Sequence, residues 1–170
     1  MLKEIKIKGY KSIKDITLDL KPINILIGAN GVGKSNFITF FSLVNNIYEQ
    51  NLQNYTMACG ADSLLYYGLK HTNFIEGSLD FGNNTYSFKL APARDGSLYI
   101  SEESNIFINS RWIYPTKNIR ESKIKDSSRP RDSFLRNFLA SYRIYHFHDT
   151  EMNSKLRSKY CNIDDNERFA

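Results

Sequence analysis

The stretch Gly28-Ala29-Asn30-Gly31-Val32-Gly33-Lys34-Ser35 constrains this chain more than any other. It reads G-x-x-x-x-G-K-S, in which glycines let the backbone wrap round a phosphate with successive N–H groups aimed at its oxygens. Lys34 can reach β- and γ-phosphates, and the Ser35 hydroxyl can enter a Mg²⁺ shell. A helix starting behind the loop adds a partial positive charge and unpaired N–H donors. Chance supplies four such fixed positions in about one chain in a hundred of this length. The flanks agree with the motif. Ile23 to Ile27 is a short apolar, β-branched run, which predicts a buried strand. Phe37, Phe40, Phe41, Val44, Ile47 and Tyr48 recur at helical spacing, which predicts an amphipathic helix over 36–48.

A length of 170 residues suits one domain with a real core. Hydrophobic residues at 41% and aromatic residues at 14% describe a folded chain, not a disordered one. The net charge of +5 is that of an ordinary solvated surface, or of a surface that meets a polyanion such as DNA. Cys59 and Cys161 lack metal-pair spacing and are expected to be reduced thiols. No run is long and apolar enough for a membrane helix, and residues 1–10 lack a signal-peptide core. The expected location is the cytoplasm, with no membrane partner.

Residues 1–50 are expected to hold a β-hairpin, the strand before the glycine loop, and the helix after it. Alternation from Ile5 gives the first strand, Gly9-Tyr10-Lys11-Ser12 a turn, and Ile13, Ile16, Leu18 and Leu20 the second. Lys21-Pro22 ends the hairpin. Residues 51–115 form an antiparallel β-subdomain, after a polar stretch from Gln50 to Gly60 that reads as a mobile loop. A short helix capped by Asp62 and stopped by Gly68 precedes strands at Phe74–Phe81, Thr85–Leu90, Leu98–Ile100 and Ile106–Ile108. Trp112 reads as a core anchor rather than a base-stacking platform. Residues 116–131 are a basic linker, expected to be exposed and mobile. It reads first as a solvated loop and second as a contact to DNA phosphates. Residues 132–150 give a helix over Phe134 to Tyr142 and a strand from Arg143 to Phe147. Residues 151–170 are a polar tail. His146, His148 and Asp149 lack a nearby third ligand, so a strand-end cap is preferred to a metal site.

The order strand, Gly-Tyr-Lys-Ser, strand, apolar strand, Gly-Ala-Asn-Gly-Val-Gly-Lys-Ser-Asn resembles the head domain of ABC-type ATPases of the RecF and structural-maintenance-of-chromosomes branch. Two further stretches, Gly60 to Glu103 and Tyr145 to Thr150, resemble predicted bacterial AAA-family ATPases of the RecF-like class. The resemblance implies an α/β fold, a P-loop NTPase N-terminal lobe with an inserted antiparallel β-subdomain and an incomplete core. It implies that Gly28, Ala29, Asn30, Gly31, Val32, Gly33, Lys34, Ser35 and Asn36 bind ATP, that Ser35 orders Mg²⁺, and that Lys11 and Ser12 lie near the nucleotide. It implies action on DNA in repair or phage defence. The Leu-Ser-Gly-Gly signature, an apolar strand ending in Asp-Glu, and a later switch histidine do not occur. The expected chain is therefore the N-terminal lobe of a longer ATPase or a shortened gene product. Its partner would be the missing C-terminal half or a second copy, head to head, and catalysis by the chain alone would be negligible. The alternative is a non-catalytic nucleotide- or DNA-binding module. A small P-loop kinase or GTPase is disfavoured, because an antiparallel meander follows the helix instead of alternating βα units.

Overall fold

The structure, a computed structural model, describes residues 1–108, 110–114 and 118–144. One six-stranded sheet dominates it, in the order β2-β1-β3-β4-β5-β6, and every pairing is antiparallel. The strands are β1 (Glu4–Tyr10), β2 (Ile13–Asp19), β3 (Ile75–Asp80), β4 (Asn84–Pro92), β5 (Leu98–Phe107) and β6 (Ser110–Ile113). Hairpin and meander are continuous, since β1 pairs with β2 on one edge and β3 on the other. The two short strands expected near Leu98 and Ile106 are the ends of one long strand, β5.

Among the described residues four helices accompany the sheet: α1 (Lys34–Tyr48), α2 (Leu52–Cys59), α3 (Ala61–Leu64) and α4 (Ser133–Ser141), the last preceded by a 3₁₀ turn at Pro130–Asp132. Alternation puts Ile5, Ile7, Ile75, Leu79, Tyr86, Phe88 and Leu90 on the inner face of the sheet. Helix α1 packs there with Phe40, Leu43, Val44 and Ile47. Gly77 makes room for it. A Cβ on Gly77 would stand 2.3 Å from the Phe88 ring and 2.8 Å from the Phe40 ring. Those two rings stack at 6.0 Å, and Tyr10 meets Phe40 edge-on at 5.4 Å.

Three expectations change. The polar stretch after α1 is a helix, α2, and not a mobile loop. The Glu121 carboxylate accepts the Leu52 and Gln53 N–H groups at 3.0 Å each, capping α2 from 69 and 68 residues away. The basic segment is docked, not mobile. Ile119 bridges Ile100, and Ser122 and Ile124 are fully buried. The third change is Cys59, which is disulfide-bonded rather than a free thiol. Cys161, the other cysteine, lies outside the described residues. So do residues 145–170, with His146, His148, Asp149 and most of the strand expected from Arg143 to Phe147. No described helix is long and apolar enough to cross a membrane.

What pins the basic segment is a buried polar cluster. Glu103 accepts hydrogen bonds from the Tyr86 hydroxyl at 2.7 Å, the Lys123 N–H at 3.0 Å and the Ser122 hydroxyl. Asp132, equally buried, accepts from Asn105 Nδ2 at 2.7 Å and from the Ser127 hydroxyl. Burial holds the Glu103 carboxyl above its usual value of 4.5. The folded chain thus keeps a proton that the unfolded chain has released. The stabilisation this gives is complete below pH 4.5 and is lost as pH rises through the folded value. Thermal melts of wild type and Glu103→Gln from about pH 4 to about pH 8 should show the wild type losing ground to the variant as pH rises. A difference that does not change with pH would contradict this account.

Candidate functional site

The glycine loop joins two tethered elements. Upstream, Lys21 N–H donates to Asn24 Oδ1 at 2.9 Å and Asn24 Nδ2 returns a bond to the Lys21 carbonyl at 2.6 Å. This closes a turn around Pro22, as a short amide side chain can. Residues 23–27 then run without a ladder partner among the described residues. Ile23, Ile25 and Ile27 are 81%, 78% and 90% exposed. The buried strand expected here is therefore absent as a strand. A run apolar on both faces suits a central parallel strand, and the described sheet offers it no neighbours.

Within the loop, Gly28 comes so close that a Cβ would stand 2.9 Å from Val32 Cγ2. Gly31 and Gly33 take φ of 83° and 94°, a region open to glycine at little cost. Gly33 is also the N-cap of α1. No side chain caps the helix there, and its first turn holds no acidic residue. A helix start of this kind, uncapped and without a nearby carboxylate, suits an anion. Lys34 curls back into the loop: its Nζ donates to the carbonyls of Gly28 at 2.8 Å and Ala29 at 2.6 Å.

Behind the loop, Asn36 is only 1% exposed and donates from Nδ2 to the Ser12 hydroxyl at 2.8 Å. Ser12 Oγ also stands 2.9 Å from where a Cβ on Gly33 would sit. The hairpin turn thus touches the loop through Ser12. Lys11, at φ 47°, places its ammonium 5.8 Å from the Tyr10 ring centre. Sequence reasoning grouped Ser12, Lys11 and Asn36 as neighbours of a ligand and missed the Ser12–Asn36 bond. The signal for it was legible: Asn36 precedes Phe40, Leu43 and Ile47 on the buried stripe of α1, where a polar side chain requires a partner.

An open cleft of about 670 Å³ runs beside Lys34 and Ser35. Leu20, Leu26, Phe37, Phe41 and Tyr142 make most of it apolar. Phe41 and Tyr142 stack at 4.8 Å, and burial pushes the Tyr142 hydroxyl up to about 12. Among the described residues no group of three His, Cys, Asp or Glu could hold a metal.

The basic segment spends several of its cations on the protein itself. Arg120 meets Asp95 at 2.8 Å and Lys125 meets Glu49 at 2.6 Å. The Arg129 guanidinium lies 3.8 Å from the centre of the Trp112 ring, which is 36% exposed. Trp112 is thus a half-covered edge residue whose ring already carries a cation, not a core anchor.

The loop geometry fits a nucleotide phosphate with its metal. The close glycine turns, the uncapped helix start, the lysine and the Ser35 hydroxyl supply the donors such a group needs. A family model described as an AAA ATPase domain matches residues 1–168. No curated protein matches the chain.

Gly33→Ala should destabilise the fold. A side chain at φ 94° beside Ser12 costs about 1–2 kcal/mol, or a fall in Tm of about 2–8 °C. An unchanged Tm would mean that loop and hairpin turn do not press on each other.

Proposed function

The chain belongs to the AAA ATPase domain family, and from that premise we propose that it is the ATP-binding lobe of a RecF-like ABC-type ATPase. The observation that carries the reading is the loop itself: Lys34 bound to the carbonyls of Gly28 and Ala29 at the mouth of an uncapped helix. In this reading the N–H groups from Asn30 to Lys34 cradle the β-phosphate, and Lys34 leaves its two carbonyls to neutralise the β- and γ-phosphates. Ser35 would offer its hydroxyl oxygen to Mg²⁺, and the metal would draw charge off the phosphates.

The partner we propose is a C-terminal ATPase half, or a second copy of the head. Two features of the chain support that partnership. Ile23, Ile25, Leu26 and Ile27 are exposed on a segment without strand neighbours among the described residues, and no acidic residue lies in the first turn of α1. A partner strand carrying carboxylates would supply both the ladder and the group that activates water. The biological setting we propose is DNA maintenance or phage defence in the cytoplasm. It rests on the RecF-like resemblance and on the net charge of +5. The sparse acidic chemistry beside the loop favours one second reading, a module that holds nucleotide or DNA without turnover.

Calorimetry with ATP and Mg²⁺ on wild type and Lys34→Ala tests the first reading. Binding by wild type and its loss in the variant are expected, since the variant removes the one side-chain charge of the loop. Equal binding by both, or none by either, would overturn the assignment of a phosphate loop. In a second measurement, phosphate release by the purified chain should stay at background. Turnover that disappears in Lys34→Ala would show that the chain activates water by itself.

A further inference from the structure

We propose that Ser12 is a positioning residue of the phosphate loop. It holds Gly33 and the first turn of α1 in the orientation in which their N–H groups face an anion. The inference rests on the nucleotide-binding reading and names a residue on which that site depends without its touching the ligand.

The hydroxyl of Ser12 accepts Asn36 Nδ2 at 2.8 Å and packs against Gly33, 2.9 Å from the place a Cβ would take. Asn36 is 1% exposed, so its amide has been withdrawn from water for this contact. One hydroxyl therefore touches both the residue that ends the loop and a residue in the first turn of α1. The platform under that hydroxyl is rigid. Lys11 N–H donates to the Leu64 carbonyl at 2.9 Å, Tyr66 N–H donates to the Gly9 carbonyl at 3.0 Å, and Tyr10 is wholly buried. The hairpin turn is fixed to the sheet and to the segment after α3, and Ser12 passes that fixity to the loop. A helix start without a side-chain cap gains from such an outside reference, because no capping side chain fixes its first turn.

The structure also contains an internal control. One turn further along α1, the Tyr10 hydroxyl donates to Thr39 Oγ1 at 3.2 Å. That bond joins the same two elements as the Ser12–Asn36 bond and does not reach the loop. If Ser12 served only to hold hairpin to helix, losing either bond would have the same consequence.

The test compares Ser12→Ala, Ser12→Thr and Thr39→Val with wild type, each by thermal melt and by calorimetry with ATP–Mg²⁺ and with inorganic triphosphate. Ser12 is exposed and its truncation leaves the core intact. Similar small drops in Tm are expected for Ser12→Ala and Thr39→Val. Affinity for both probes should fall about five- to tenfold in Ser12→Ala alone. Ser12→Thr, which keeps the hydroxyl, should bind as wild type does. The inference fails if Ser12→Ala binds both probes like wild type, if Thr39→Val weakens binding as much, or if only ATP and not triphosphate is affected. Lys34-dependent binding untouched by Ser12→Ala would overturn this inference alone. No binding by wild type would overturn the nucleotide reading as well.

Discussion

Everything near the glycine loop depends on where α1 lies, and that is set by one aromatic contact. Phe40 sits on the bare backbone of Gly77, stacked against Phe88 and edge-on to Tyr10. A Cβ at position 77 would stand 2.3 Å from the Phe88 ring and 2.8 Å from the Phe40 ring, so this packing requires glycine there. With Phe40 seated, Asn36 lies one helical turn towards the loop and meets Ser12. Lys34 then lies at the helix start, within reach of the Gly28 and Ala29 carbonyls. The loop is presented by a helix whose height above the sheet is fixed by close packing and whose first turn is held by a hydrogen bond. Packing gives the distance and the hydrogen bond gives the orientation.

Much of this was legible in the residues, and the rest failed for identifiable reasons. The strands β1, β3 and β4 alternate cleanly because one face of the sheet is buried, and α1 and α4 carry wide apolar stripes. Those patterns are local. Helix α2 was invisible because its signals are not. Its N-terminal donors are met by Glu121, and its glutamine and threonine bond the main chain of Leu98. A polar, asparagine-rich stretch looks like a loop until the segment that satisfies it is known. The basic segment misled in the same way. Its charges suggested solvent, while its small and apolar residues, Ser122 and Ile124, are the ones that dock.

At the site, the motif foretold the turn glycines, the helix and the lysine. It did not foretell the fate of the apolar run before them. A strand is a relation between segments, and the described sheet is antiparallel with its edges at β2 and β6. Residues 23–27 have the composition of a central strand without the neighbours that would make them one. The buried pair Glu103 and Asp132 was also beyond reach. Nothing in sequence distinguishes Glu103 from Glu102 beside it except the face that the alternation assigns, and a break in the β4–β5 register between Lys89 and Leu90 shifts that alternation.

The exposed isoleucines give the chain a thermal character of its own. Ile23, Ile25 and Ile27 are exposed on a segment that has no ladder partner among the described residues. Contacts driven by apolar surface strengthen on warming over the ordinary laboratory range and weaken in the cold. Hydrogen bonding and charge pairing do not share that sign near room temperature. Any surface that came to cover these three side chains would therefore hold them more firmly warm than cold.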